Sequence, residues 1–199
     1  MKRLPRIAAL LLVASVAPAE AQPPSGALSG SAPSPSNFPT ATTQVIGGSE
    51  GAAEDLQANG RCDEAVPILR RLTDGSSFVM ARYHLGQCLL ILADADPAHA
   101  AELRREGAKW ILRSAGAGFA QAEIEAVTIC LDGTGMDSDP VEAEKWALLY
   151  HHNSLRFVLN LPDIAPDLSD RVDAALNDAT RAQAEARAAS WTPRTRPDE

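Results

Sequence analysis

The chain has 199 residues, 45% hydrophobic and 5% aromatic, with a formal net charge of −8 at pH 7. That length leaves room for one modest domain once processed or unfolded segments are set aside. The acidity argues against nucleic acid or anionic membranes as partners, because clustered Lys and Arg are needed to neutralise phosphates; a basic partner is compatible with it, and so is plain solubility.

At the N-terminus Lys2, Arg3 and Arg6 precede an apolar run from Ile7 to Ala17. Ala19-Glu20-Ala21 then gives the small-x-small pattern that signal peptidase reads. Residues 1–21 are therefore expected to be a signal peptide, cleaved after Ala21. Loss of Lys2, Arg3, Arg6 and Glu20 moves the net charge from −8 to −10. The apolar run falls short of the roughly 20 residues that cross a bilayer, so no stable membrane span is expected after cleavage. Export to the periplasm or secretion is the implied localisation.

Residues 22–50 read as a disordered tether. From Gln22 to Ser49 there is no charged residue, and five prolines are interspersed with Ser, Gly, Ala and Thr. Such a stretch buries too little apolar surface to offset the entropy of ordering. Residues 51–192 form the expected folded unit, and 193–199 a disordered tail.

Inside that unit the apolar residues follow helical spacing, and alternating strand patterns are nearly absent, so the fold class is all-α. Asp63 can cap a helix carrying Ala65, Val66, Leu69 and Leu72, with Pro67 in or near its first turn. A turn at Asp74-Gly75 leads to a helix from about Phe78 to Ala93. A long helix follows from about Ala98 to Ser114, ended by Gly116 and Gly118, and a shorter one from Ala120 to Leu131, ended by Gly133 and Gly135. Pro140 suits the first turn of the next helix, which carries Ala143, Trp146, Leu149 and Tyr150. The segment around Ala182 to Trp191 reads as a polar, alanine-rich terminal helix.

Trp110 and Trp146 lie 36 residues apart in look-alike surroundings, a spacing typical of stacked-helix repeats. Asp94-Ala-Asp96-Pro97 echoes Asp137-Ser-Asp139-Pro140 at an offset of 43. The difference predicts a second helix in the first unit that is longer by seven residues, close to two turns.

Ala122, Gly133, Gly135, Asp139, Ala143 and Trp146 stand where the Sel-one-like repeats, a subclass of tetratricopeptide-type solenoids, have their defining positions. Ala126-Val127 replaces the usual Leu-Gly. The preceding unit supplies Ala81, Leu85-Gly86, Trp110, Ala115 and Gly118 but lacks the Gly-x-Gly loop. Gly60-Arg-Cys62-Asp-Glu-Ala65 is similar to an ordinary tetratricopeptide junction between the two helices of a repeat. The resemblance implies a short right-handed αα-hairpin solenoid with a C-terminal capping helix, because an uncapped array exposes a hydrophobic face. Trp110, Gly118, Gly133, Gly135, Asp139, Ala143 and Trp146 are then structural, repeat-defining residues, the tryptophans packing in the core.

Cys62 and Cys88 each lie 13 residues from Gly75, so in an antiparallel hairpin turning there they face one another. A disulfide is permitted without being required; closing a loop of about 27 residues would contribute roughly 3 kcal/mol. The exported members of the resembled family carry cysteine pairs at a closer spacing. Cys130 has no evident partner and reads as a buried thiol.

Chemistry finds little to stand on. His151 and His152 are adjacent and so point to different faces, while His84 and His99 lack zinc-ligand spacing. Asp132-Gly-Thr-Gly-Met-Asp137-Ser-Asp139 resembles a calcium loop, but Ala143 stands where the bidentate Glu belongs. Gly47-Gly-Ser49-Glu-Gly51 matches Gly-x-Ser-x-Gly in letters but follows no strand pattern, and no Ser-x-x-Lys occurs. No catalytic residue, metal or cofactor is expected.

The expected function is that of an exported, non-catalytic scaffold or adaptor that binds another protein or peptide on a helical-repeat surface. Candidate contact residues, on the first helix of each repeat facing away from the core, are Tyr83, Gln87, Glu123 and Thr128. The resemblance also admits a cell-envelope binding protein or hydrolase, related to peptidoglycan or β-lactams, of the cysteine-rich Sel-one-like type.

Overall fold

The computed structural model describes residues 40–73 and 78–194, with side chains from Ser49 onward. The expected signal peptide, residues 22–39 of the tether, the Asp74-Gly75 turn and residues 195–199 of the tail lie outside the described residues. The described elements are α1 (Thr40–Ala58), α2 (Cys62–Thr73), α3 (Val79–Ala95), α4 (Ala100–Gly116), α5 (Ala120–Asp132), α6 (Pro140–His152), α7 (Ser154–Val158), α8 (Pro166–Ala174) and α9 (Asp178–Ala189). No strand occurs among the described residues. Helix α1 takes in residues 40–50, which composition assigns to the tether.

Each helix from α1 to α5 packs on the next, and α9 packs on α6. The molecule is thus an αα-hairpin solenoid whose last hairpin is closed by a terminal helix. Two apolar clusters form its core. Ala53, Cys62, Ala65, Leu69, Ala81, Leu85, Cys88 and Leu89 fill the α1–α3 end. Ile111, Ala122, Ala126, Val127, Ile129, Ala143 and Trp146 fill the α4–α6 end, where Val172 of α8 joins them.

Local chemistry explains the boundaries. Helix α2 carries Asp63 and Glu64 in its first turn and Arg70 and Arg71 in its last, each sign opposite the helix dipole there. The helix starts at Cys62, ahead of the expected Asp63 cap, so Pro67 lies two residues deeper than expected, where its missing N–H removes one helical bond. Helix α5 ends on Gly133, whose φ of +70° is the left-handed conformation that glycine adopts freely, and Thr134 N–H then donates to the Ile129 carbonyl at 3.0 Å. Asp139 accepts from Glu142 N–H at 3.0 Å and starts α6, with Pro140 in the first turn.

The seven-residue difference between the hairpins divides in two. Pro97, Ala98 and His99 form a turn held by Asp96, whose carboxylate accepts from Ala98 N–H at 3.1 Å and meets His99 Nδ1 at 2.6 Å. Only four of the seven lengthen the helix, since α4 has 17 residues and α6 has 13. A lengthening of four is about one turn, which still keeps the apolar stripe near one face.

A disulfide joins Cys62 on α2 to Cys88 on α3, with the Cα atoms 5.0 Å apart. Cys130 is a free, buried thiol whose pKa is pushed up to about 12, mainly by burial and next by the nearby Glu142.

Candidate functional site

A groove of about 880 Å³ runs between α4 and the start of α6, and the segment after α9 closes one side of it. Helix α4 supplies one complete face. Arg105, Ala108, Lys109, Leu112, Arg113 and Gly116 follow the i, i+3, i+4 progression of a single helical stripe. Across from them stand Glu142, Lys145 and Trp146 of α6, Gly135 and Met136 of the preceding turn, and Trp191 and Arg194 beyond α9. Thr73 and Arg82 complete the lining from α2 and α3.

Two features set this surface apart from the rest of the chain. It carries six cationic side chains and a single carboxylate, Glu142, on a protein with a net charge of −8. It also holds all three tryptophans of the sequence. Trp146 is nearly buried and meets Trp191 edge to face, with ring centroids 6.5 Å apart. Trp110 is half-buried: it packs against the α1–α3 cluster, lines the groove, and donates from Nε1 to Glu106 Oε1 at 3.2 Å. The tryptophans are therefore core and groove at once, which qualifies the expectation of core packing alone.

The cations are held by different means. Lys145 pairs with Glu142 and sits 3.6 Å from the centroid of Trp146, a close cation–π geometry. Glu142 also receives Arg187 Nη1 at 3.1 Å, so its single charge is matched twice. Arg113 lies over Trp110 at 5.0 Å. Arg82 is buried, and burial first, then the like charge of Arg113, lowers its pKa. Arg105, Lys109 and Arg113 are exposed, and no acidic side chain among the described residues forms an ion pair with them. Their neighbours differ: Arg104 pairs with Asp94 at 2.8 Å and Arg70 with Glu106 at 2.7 Å.

The residues singled out from sequence as partner contacts lie elsewhere. Gln87 donates to the Tyr83 hydroxyl at 2.7 Å and to Glu125 at 3.2 Å, and accepts from Gln57 at 2.8 Å. Gln57 in turn meets His84 Nδ1 at 2.6 Å, and His84 lies 3.3 Å from Glu54. Tyr83 and Gln87 thus belong to a polar row that ties α1, α3 and α5 together. Glu123 is only 1% exposed, and its carboxylate accepts from Asn153 at 2.7 Å. It holds the start of α5 against the end of α6 and offers no surface to a partner. Thr128 is half-buried on α5. The groove was nevertheless readable: Arg105, Lys109 and Arg113 repeat every four residues, and a cationic stripe at that spacing is visible in any helical reading of the segment.

No group of His, Cys, Asp or Glu among the described residues is arranged to hold a metal. No described helix is long and apolar enough to cross a membrane.

Comparison with known proteins places the architecture. No family model and no curated protein matches the chain. A solved crystal structure does: a protective antigen present in uropathogenic Escherichia coli strains, displaying an SLR (Sel-one-like repeat) fold, superposes with a TM-score of 0.59 at 17% identity. The fold is that of Sel-one-like repeats. The match covers 79% of this chain and 32% of that one, so this chain spans about a third of the antigen's length. Within that fold Gly133, Gly135 and Asp139 build the turn and cap of the α5–α6 repeat, and Ala143 is fully buried beneath Trp146. Gly118, with φ +85°, turns the chain between α4 and α5.

Proposed function

We propose that the protein is an exported, non-catalytic adaptor that captures another protein or peptide on its helical-repeat surface. The observation that carries this reading is the groove, where exposed cations and three tryptophans are set together on a helical frame. Trp and Arg are the residues that dominate binding energy at protein interfaces. Export is supported by the leader-like pattern of residues 1–21 and by the Cys62–Cys88 disulfide, since such bonds persist in oxidising compartments. The periplasm or the extracellular space is the proposed location.

Chemical crosslinking of the full chain in its native cell envelope, followed by affinity recovery, tests the reading. A saturable protein partner is expected. Turnover of a chromogenic β-lactam by the purified mature protein, or retention on peptidoglycan in place of a protein, would overturn it in favour of an envelope enzyme or wall binder.

A further inference from the structure

We propose that the α4–α6 groove docks an acidic peptide segment of the partner, extended along α4, with carboxylates facing Arg105, Lys109 and Arg113 and an apolar or aromatic side chain set among Trp110, Trp146 and Trp191. The inference rests on the adaptor reading and assigns its surface and ligand chemistry.

Three observations carry it. Sign comes first: the groove is cationic on an otherwise acidic molecule, so it attracts what the remainder of the surface repels. Spacing is second. Residues four apart on a helix are about 6 Å apart along its axis, and alternate residues of an extended peptide recur about every 6.7 Å. Carboxylates at every second position of an extended segment therefore keep step with the three cations, whereas a small anion would not span all three. The third is the state of the rings. Lys145 covers Trp146 and Arg113 approaches Trp110, while Trp191 meets Trp146 edge-on. Ring faces taken up in this way are poor platforms for stacking bases, which single-stranded nucleic acid requires. Their edges remain a good lining for an apolar side chain. A groove of about 880 Å³ lies within the usual range of ligand-binding clefts.

All three tryptophans line the groove, so their fluorescence reports its occupancy. The probe is a synthetic peptide of about ten residues with Glu at alternate positions and one central Phe. The controls are its Gln counterpart and an oligothymidylate of equal charge. The acidic peptide should shift the tryptophan emission and bind at least about tenfold more tightly than the Gln peptide, with affinity falling as salt rises. A triple variant, Arg105→Gln with Lys109→Gln and Arg113→Gln, should lose at least about tenfold in affinity while keeping wild-type helicity. Thr128→Ala should change nothing.

Equal binding of the Glu and Gln peptides, or undiminished binding by the triple variant, would overturn the assignment, as would tighter binding of the oligothymidylate. The adaptor reading fails separately. An envelope partner still captured by the triple variant leaves the adaptor standing and removes the groove. Discrimination between peptides with no protein partner in the envelope leaves the groove standing and removes the adaptor.

Discussion

The hairpins α3–α4 and α5–α6 are the same repeat closed in two ways. In α5–α6 the glycines sit in the turn, where Gly133 and Gly135 take φ near +70° and a short connection reaches the Asp139 cap. In α3–α4 they sit inside the helices instead. A Cβ on Gly86 would come within 2.8 Å of the Gly107 carbonyl oxygen, and one on Gly107 within 2.9 Å of the Gly86 carbonyl oxygen, so the two backbones touch where side chains normally intervene. Close backbone approach lets two long helices run side by side without a tight turn. The extra turn of α4 lies at its start, residues 100–103, ahead of the cationic groove, whose lining on α4 begins at Arg105.

The largest effect that separates the two hairpins is expected at the disulfide. It staples α2 to α3 and has no counterpart in α5–α6, where Cys130 is unpaired. Replacing both Cys62 and Cys88 by Ala should cost about 3 kcal/mol, read as a lowered urea midpoint. Hydrogen exchange should show α2 and α3 losing protection before α5 and α6. Uniform loss across all helices would mean that the bridge supports the whole array and not its first half.

The repeat motif itself gives the next effect, with opposite steric logic in the two hairpins. Gly86 and Val127 hold equivalent motif positions. Gly86→Ala should destabilise by about 2 kcal/mol through overpacking against Ile111 and Gly107. Val127→Ala, in a fully buried site, should destabilise by a similar or smaller amount through a cavity. Chemical denaturation of both variants checks this; a neutral Gly86→Ala would show that the α3–α4 crossing can spread.

These contrasts show which parts of the molecule were legible in its sequence. Helices were readable because their apolar residues recur at helical spacing, and the α5–α6 turn was readable because glycine and an Asp-Pro cap act locally. The disulfide was readable only as a possibility, since equal distances from a turn fix register without fixing which faces meet. The start at Thr40 was hidden because residues 40–48 carry no charge and two glycines, so composition speaks against a helix there. The surroundings of the candidate contact residues were hidden for a different reason. Tyr83, Gln87 and Glu123 look like exposed polar residues in sequence, yet they bond across helices, and such tertiary pairing leaves no local pattern. The cationic stripe did leave one, but the net charge of the whole chain masked it.

A smaller effect should follow at the cap of α6. Asp139 accepts from Glu142 N–H and lies 3.3 Å from Arg187 of α9, so it both starts the helix and ties it to the terminal helix. Asp139→Ala should cost about 1 kcal/mol. Asp139→Asn retains the cap oxygen and should recover more than half of the loss. Equal losses would assign the stabilisation to the Arg187 contact. Helix α4 has no such cap, since the His99 side chain meets Asp96 and not the helix N-terminus, and because that pair is exposed His99→Ala should leave stability nearly unchanged.

The smallest and most local expected effect lies where the hairpins meet. Glu125 of α5 reaches Gln87 and Tyr83 of α3, and burial raises its pKa above the ordinary 4.5 despite those hydrogen bonds. The folded chain then keeps a proton that the unfolded chain has released, so this group's contribution to stability falls as pH rises from 4.5 through the raised value. Glu123 behaves in the same sense, while His84, held low by burial, acts oppositely and costs stability as pH drops below 6.5. Both remain in Glu125→Gln, so the difference between variant and wild type isolates Glu125. Urea midpoints measured from pH 4 to 8 should show a shallower fall above 4.5 in the variant. Identical pH profiles would mean that the carboxylate is solvated, and the junction between the hairpins would then be open to water.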